Sequence, residues 1–222
     1  MRERPATQPE INKFRRETLI EATIQMVAKH GIENATFARI CAAAGVSRGL
    51  PGHYFRDKED LLCQAYGHLL DIHIAHTRAA VLAAKGSASD RLKAFVQACL
   101  PSDGNNRPYR TAYLAFWTLS MADKKMVKIT NDAYRAQYEA VASLFREAAD
   151  AAGAKLDPLE EAIALIGMID GLWLDISIGA SGITQRGAIA VIAKYIERIL
   201  SQHSEVTALN ARSHGRKSRK IA

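Results

Sequence analysis

Apolar residues recur every three or four positions along most of this chain, which places them on one face of an α-helix. No stretch alternates apolar and polar residues over a useful length, so no β-strand is expected. Outside residues 34–58, the pattern predicts helices over residues 11–30, from just after residue 58 to about 84, and over 88–100, 109–121, 123–152, 157–178 and 185–202. One long helix or two collinear ones fit residues 123–152. The chain is therefore expected to be all-α, with about nine helices.

The run from Asp157 to about Ile178 is the most apolar, and its length raises the question of a membrane span. Asp170 and Asp175 lie within it, and two carboxylates near the centre of a span would be costly in lipid. A helix buried mostly by protein fits better. Together with the following apolar helix, Gln185 to Gln202, it offers more apolar surface than a small domain needs, which predicts a homodimer interface.

The stretch from Asn34 to Lys58 has the pattern of a helix-turn-helix. Thr36 can cap a short helix that Gly45 ends, and Ser47 can cap a second helix running into His53, Tyr54 and Phe55. Two short helices joined by a Gly-containing turn can place one helix end in a DNA major groove. Arg48, just after the Ser47 cap, is best placed to reach a guanine edge.

Positive charge lies at the two ends of the chain, whose net charge is +7. Residues 1–58 carry 10 Lys and Arg against 6 Asp and Glu, residues 59–202 carry 15 against 16, and residues 203–222 carry 5 against 1. We therefore expect a flexible arm (1–10), a helix-turn-helix DNA-binding domain (11–58), a ligand-binding and dimerisation domain (59–202) and a basic disordered tail (203–222).

The cysteines and the N-terminus suggest where the protein resides. The three cysteines are an odd number at unrelated spacings on apolar helical faces, which favours small buried side chains in a reducing cytoplasm. The N-terminus is polar and charged without an apolar core of signal length, so export is not expected. His73 and His76 have a metal-pair spacing, but no further cluster accompanies them, so no metal site is predicted.

The helix-turn-helix residues resemble the DNA-binding signature of TetR-type bacterial transcriptional regulators. The matching positions are Thr36, Ile40, Ala43, Ala44, Gly45, Val46, Ser47, Gly49, Tyr54, Phe55, Lys58, Leu61 and Leu62. The resemblance implies an N-terminal three-helix DNA-binding domain, a C-terminal helical ligand-binding domain, and phosphate contacts from Thr36 and Lys58. The expected DNA-binding residues are Thr36, Ser47, Arg48, Gly49, His53, Tyr54 and Lys58.

A narrower resemblance covers both halves of the chain. Gly52 stands where TetR-type proteins usually have a phosphate-contacting tyrosine, and Pro51 precedes it. The BetI branch of that family also lacks this tyrosine, and its members sense choline and repress genes for making glycine betaine. The segments similar to that branch are residues 52–58, 114–117, 120–121 and 169–174.

Candidate ligand-binding residues follow from the chemistry of such an effector. A quaternary ammonium ion has no hydrogen to donate, so proteins recognise it through aromatic faces and a nearby carboxylate. Asp170 and Trp173 share one helical face, and an earlier helix offers Tyr113, Phe116 and Trp117. An aromatic cage from these five residues is one interpretation, and ordinary core packing is the other.

These patterns predict a homodimeric transcriptional repressor that binds palindromic or pseudo-palindromic operator DNA and responds to a choline-like effector. An enzyme is not expected, because no nucleophile, base or metal constellation occurs at a usable spacing, and no cofactor is expected. Three alternatives stay open: a TetR-like regulator of another amphipathic molecule, a helical enzyme, and a non-specific nucleic-acid scaffold that uses the basic ends.

Overall fold

The computed structural model describes residues 7–100, 107–179 and 182–218, with side chains as far as Ser201. Over these residues the chain forms eight α-helices, one short 3₁₀ helix and no strand, which confirms the all-α prediction. The α-helices are α1 (Gln8–Asn34), α2 (Phe37–Ala44), α3 (Lys58–Ala83), α4 (Ala88–Cys99), α5 (Arg107–Ser120), α6 (Lys124–Ala152), α7 (Pro158–Ile178) and α8 (Gln185–Ser218). The 3₁₀ helix is Leu50–His53.

Local chemistry sets several helix ends where the sequence predicts them. Thr36 accepts a hydrogen bond from the backbone N–H of Arg39 at 3.4 Å and so begins α2. Gly45 ends α2 in the left-handed conformation with φ of 67°. Gly31 has φ of 77° and kinks α1 where the helix was expected to stop. The Asp157 carboxylate accepts the N–H groups of Leu159 and Glu160 at 2.8 and 3.1 Å and begins α7.

The second helix of the helix-turn-helix is shorter than predicted. After Gly45 the chain turns through Ser47 to Gly49 and forms only the 3₁₀ helix Leu50–His53. Pro51 has no N–H to donate, and the glycines on either side of it lower helix propensity. A longer α-helix therefore does not form here.

The ends of the chain also differ from expectation. The predicted flexible arm lies partly outside the described residues, but α1 already begins at Gln8, where the Thr7 N–H donates to the Glu10 carboxylate at 2.9 Å. At the other end α8 continues past Gln202 to Ser218. No Gly or Pro occurs between residues 188 and 214 to interrupt it. Residues 219–222 lie outside the described part.

The first of two compact units comprises Met1–Ile72 and Gly104–Ala133. Its core combines the helix-turn-helix region with α5 and the start of α6. Tyr66 and Phe116 are fully buried and stack with ring centroids 5.6 Å apart. The Tyr66 hydroxyl shares a 3.0 Å hydrogen bond with Thr130. The aromatic stripe of α5 thus contributes to the core on which the helix-turn-helix rests.

The second unit comprises His73–Asp103 and Tyr134–Ala222. Its core is formed by α4, α6, α7 and α8, with Leu92, Phe145, Leu165 and Ile192 fully buried. Among the described residues, no helix is long and apolar enough to cross a membrane.

The three cysteines are buried free thiols. Cys41 and Cys63 belong to the first unit and Cys99 to the second. Burial raises the pKa of all three thiols, and the nearby Asp170 carboxylate raises that of Cys99 further. Raised pKa values keep thiols protonated and weakly nucleophilic at neutral pH.

Candidate functional sites

A short exposed segment between α2 and α3 carries most of the predicted DNA-binding residues. Ser47, Arg48, Gly49 and His53 are all exposed in the turn and the 3₁₀ helix. Exposed polar groups and a guanidinium at the tip of a helix-turn-helix can donate hydrogen bonds to base edges and phosphates. The structure therefore brings these four residues to one surface.

Apolar neighbours fix this segment on the first unit. Phe55 is buried, with 3% of its surface exposed, and Pro51 is buried as well. Val46 and Leu50 are half-buried and pack against the same core. Anchoring through these side chains holds the exposed ones in place without requiring a long helix.

Two more predicted DNA-binding residues are engaged in hydrogen bonds. The Thr36 hydroxyl oxygen caps α2, which leaves its hydrogen available to donate. The Tyr54 hydroxyl donates to Asn12 of α1 at 3.2 Å. Thr36 therefore stabilises the start of α2, and Tyr54 ties the residue after the 3₁₀ helix to α1.

Lys58 has a structural contact that the sequence did not suggest. The residue is half-buried, and its ammonium group donates to the backbone carbonyls of Ile32 at 3.2 Å and Glu33 at 3.4 Å. These carbonyls follow the kink at Gly31 near the end of α1, where a positive charge is favourable. Lys58 thus ties the start of α3 to the end of α1, and a phosphate contact by its remaining donor stays a prediction.

In the second unit the Asp170 carboxylate is the most distinctive polar group. It is half-buried on α7 and accepts a 2.8 Å hydrogen bond from the Tyr134 hydroxyl of α6. Burial raises the pKa of Asp170, and the Tyr134 hydrogen bond opposes part of that rise. Among the described residues no Lys, Arg or His forms an ion pair with it.

Aromatic side chains accompany this carboxylate. The Tyr138 ring lies 5.9 Å from that of Tyr134, between centroids, and the Asp170 charge adds to the burial that raises the pKa of Tyr138. Trp173 is half-buried one turn after Asp170 and packs against the same core. A carboxylate with aromatic rings around it can bind an organic cation.

The other predicted ligand-binding aromatics belong to the first unit. Phe116 has no exposed surface and is stacked on Tyr66, so its position is that of a core residue. Tyr113 and Trp117 are half-buried, with ring centroids 6.2 Å apart. Their participation in ligand binding stays a prediction.

Sequence reasoning missed Tyr134 and Tyr138 as neighbours of Asp170. Both lie four residues apart on the helix that the sequence predicts over residues 123–152. The available signal was that a buried phenol usually needs a hydrogen-bond partner, and Asp170 is the acceptor.

Two sequence families match this chain. The pattern described as "Bacterial regulatory proteins, tetR family" matches residues 19–65, and "BetI-type transcriptional repressor, C-terminal" matches residues 88–201. The chain belongs to the TetR family, with a BetI-type C-terminal domain. A TetR-family repressor of this type is a DNA-binding regulator and not an enzyme.

Relatives support the assignment along most of the chain. The regulator BetI of Burkholderia cenocepacia (strain HI2424) is 32% identical over 192 residues, which is 86% of this chain and 96% of the relative. BetI of Paraburkholderia phymatum is 31% identical over 193 residues, again 86% of this chain and 96% of the relative.

Solved structures resemble this TetR-family chain as well. A putative transcriptional regulator from Pseudomonas aeruginosa PAO1 matches with a TM-score of 0.78 and 28% identity, covering 90% of this chain and 95% of the other. A putative regulator from Saccharomonospora viridis, in complex with choline, matches with a TM-score of 0.74 and 25% identity, covering 83% and 96%.

The Lys58 contact gives a testable expectation for stability. Lys58→Ala should lower the free energy of unfolding by about 1–2 kcal/mol, because two carbonyls at the end of α1 lose a charged donor. Thermal unfolding should show a lower midpoint. Lys29→Ala removes an exposed lysine of α1 and should leave the midpoint nearly unchanged. Equal effects of the two substitutions would contradict a structural role for Lys58.

Proposed function

We propose that the chain is a homodimeric repressor whose operator binding is relieved by choline or a related quaternary ammonium ion. The observation that carries this proposal is the half-buried Asp170 carboxylate, hydrogen-bonded to Tyr134 and without a cationic partner among the described residues. The choline complex of the Saccharomonospora viridis regulator supports the same class of ligand.

The electrostatics of Asp170 favour a cationic ligand. Burial penalises the ionised carboxylate, as the raised pKa of Asp170 indicates. A bound cation would offset that penalty, and Coulomb attraction is stronger in a partly buried site than in water. A trimethylammonium group also fits aromatic faces, at about 0.5–2 kcal/mol per ring, and Tyr138 and Trp173 can supply them.

DNA binding is proposed to rest on the exposed segment between α2 and α3. Arg48 is expected to contact a guanine edge, while Thr36, Ser47, Gly49, His53, Tyr54 and Lys58 are expected to position the protein on the phosphates. In a dimer, two such segments fit successive major grooves about 34–36 Å apart. The effector would act by favouring a dimer conformation in which this spacing is lost.

The homodimer is proposed to form through an exposed apolar stripe on α7. Leu159 is 50% exposed and Ile163 is 49% exposed. Gly167 and Gly171 continue the stripe at four-residue spacing with open space around them, so a partner helix could approach closely. Val191 of α8 adds a further exposed apolar side chain, at 57%. Apolar surface of this extent is typical of an interface.

Arg48→Ala should reduce discrimination between operator and random DNA more than it reduces total affinity. A bidentate arginine–guanine pair contributes about 1–3 kcal/mol of discrimination, and the change removes it. Fluorescence anisotropy on both DNAs across a salt series measures this ratio.

Lys58→Ala provides the comparison for a phosphate contact. If the lysine also contacts phosphate, both DNAs should bind more weakly and the salt slope should fall by about one unit. Equal losses on both DNAs for Arg48→Ala would assign Arg48 to phosphate contacts instead.

Ile163→Glu should weaken self-association at least tenfold, because it places a charge in the proposed apolar interface. Sedimentation equilibrium of the wild type and the variant measures the dimer constant. The control is Leu82→Glu, at an apolar side chain of α3 that is 75% exposed and lies outside the stripe. A wild-type monomer, or equal effects of both substitutions, would refute this interface.

Choline should bind more tightly than its neutral isostere 3,3-dimethylbutanol, because removing the charge removes both the cation–π and the Coulomb attraction. Asp170→Asn should reduce the ratio of the two affinities about tenfold, because it removes the charge. The asparagine keeps a side-chain oxygen that can accept the hydrogen bond from Tyr134. Isothermal calorimetry on the full chain measures both ligands. Asp175→Asn, at a carboxylate on another face of α7, serves as the control.

The pH dependence provides a second check on Asp170. The pKa of Asp170 is higher in the folded protein than in the unfolded chain. The stability of the unliganded protein therefore falls as pH rises from the unfolded-state pKa to the folded-state pKa. Asp170→Asn should therefore raise the unliganded melting temperature at neutral pH. In the wild type, choline affinity should fall as pH decreases towards the raised pKa. If choline and 3,3-dimethylbutanol bind with the same affinity, the protein is a TetR-family regulator of another effector.

A further inference from the structure

Two exposed arginines of the first unit share one hydrogen-bond network beside the segment between α2 and α3. Arg56 follows His53 by three residues, and 76% of its side chain is exposed. Arg16 is an exposed residue of α1. Both arginines belong to the same compact unit as the helix-turn-helix. Their guanidinium groups are therefore accessible to a large anionic partner on this surface.

Gln64 of α3 holds the side chain of Arg16. Its side-chain carbonyl oxygen accepts a hydrogen bond from the Arg16 Nε at 3.0 Å and another from Nη2. Its amide group donates to the Asp60 carboxylate at 3.0 Å. The reverse orientation of the amide is unfavourable, because it would turn N–H groups towards a cation and an oxygen towards an anion. Gln64 therefore joins the Arg16 guanidinium to the Asp60 carboxylate in one defined arrangement.

Asp60 connects the same network to Arg56. Its carboxylate accepts the backbone N–H of Arg56 at 3.0 Å and lies 3.8 Å from the Arg56 Nε. The hydrogen bonds from Gln64 and from the Arg56 backbone lower the pKa of Asp60, so the carboxylate is ionised at neutral pH. The Asp57 carboxylate accepts the Asp60 N–H at 2.7 Å, where the helix N-terminus offsets its charge.

Contacts with α1 place Arg16 close to the segment between α2 and α3. Tyr54, directly after the 3₁₀ helix, donates to Asn12 at 3.2 Å. Asn12 and Arg16 are four residues apart on α1, so they share one helical face and lie about 6 Å apart along its axis. This face of α1 therefore contacts the chain on both sides of Arg56, through Tyr54 before it and Gln64 after it.

We propose that Arg16 and Arg56 bind DNA phosphates beside the recognition surface and that Gln64 is the positioning residue for Arg16. This inference rests on the proposed DNA contact of the segment between α2 and α3. Gln64 engages only part of the Arg16 guanidinium, which leaves other N–H groups to donate to a phosphate. An arginine that is already oriented also loses less side-chain entropy when it binds.

The salt dependence of DNA binding tests the two arginines on the full chain. Arg16→Ala and Arg56→Ala should each weaken binding to operator and random DNA by the same factor, because phosphates carry no sequence information. Each lost phosphate contact lowers the salt slope by about 0.9. Raising the salt concentration about fourfold should therefore weaken wild-type binding about threefold more than it weakens either variant. The control Arg78→Ala, at an exposed arginine later in α3, should keep the wild-type slope.

A double-mutant cycle tests the positioning role of Gln64. Gln64→Met keeps the length of the side chain but removes the amide that contacts Arg16. It should weaken DNA binding at least about twofold in the wild type and have no further effect in Arg16→Ala, because both changes remove the same phosphate contact. Gln25→Met, at an exposed glutamine of α1, serves as the control. Additive losses in the cycle would refute the positioning role.

Thermal unfolding distinguishes phosphate binding from a purely structural role. A network that only braces α1 against α3 predicts a lower unfolding midpoint for Arg16→Ala and Gln64→Met. It also predicts that both variants keep the salt slope of the wild type. That pair of results would refute the proposal.

The outcomes also separate this inference from the one on which it rests. If both arginine variants keep the wild-type salt slope while Arg48→Ala still loses discrimination, the phosphate contacts are refuted and the recognition surface stands. If none of these substitutions, Arg48→Ala included, changes DNA binding, both proposals fail together.

Discussion

A half-buried carboxylate with no ion-pair partner in the part of the chain that the structure describes is the constraint on which the proposed site in the second unit depends. The Tyr134 hydroxyl donates a hydrogen bond to Asp170, and burial raises the pKa of Asp170. A surface aspartate or a leucine at this position would avoid the cost of desolvation. The unit instead keeps the carboxylate beside Tyr134, an arrangement that suits the proposed cationic effector because a bound cation would offset the cost of desolvation.

The first unit presents a short recognition segment at its surface. Pro51 and the glycines beside it prevent a long recognition helix, so rigidity has to come from anchors. Phe55 and Pro51 are buried beneath the segment, and Lys58 ties the start of α3 to the end of α1. A single 3₁₀ helix can therefore hold exposed polar groups in a fixed arrangement.

Local signals made much of the fold predictable. Thr36, Gly45 and Asp157 act within a few residues of themselves, so their effects on helix ends could be predicted from neighbouring positions. The length of the recognition helix was harder to predict, because Ser47 favours the start of a helix whereas Pro51 has no N–H to donate within it. The extension of α8 was missed because composition indicated disorder for residues that contain no helix breaker before Gly215.

The candidate site was only partly predictable for a different reason. Asp170 and Trp173 stand out in the sequence, since charged and aromatic residues are rare in that apolar run. Tyr134 is 36 residues away, and a hydrogen bond over that separation depends on how α6 packs against α7. The role of Phe116 could not be predicted from its spacing, because an aromatic residue at helical spacing gives the same sequence pattern in a core as in a ligand cage.

The buried cysteines have a consequence for following motion in this protein. Each unit contains at least one thiol that is buried in this structure and whose pKa is raised by that burial. A thiol of this kind reacts with a labelling reagent only when its surroundings open, so its labelling rate measures local opening. The labelling rates of Cys41 and Cys99 therefore measure local opening near the DNA-binding surface and near Asp170, respectively, without an introduced cysteine.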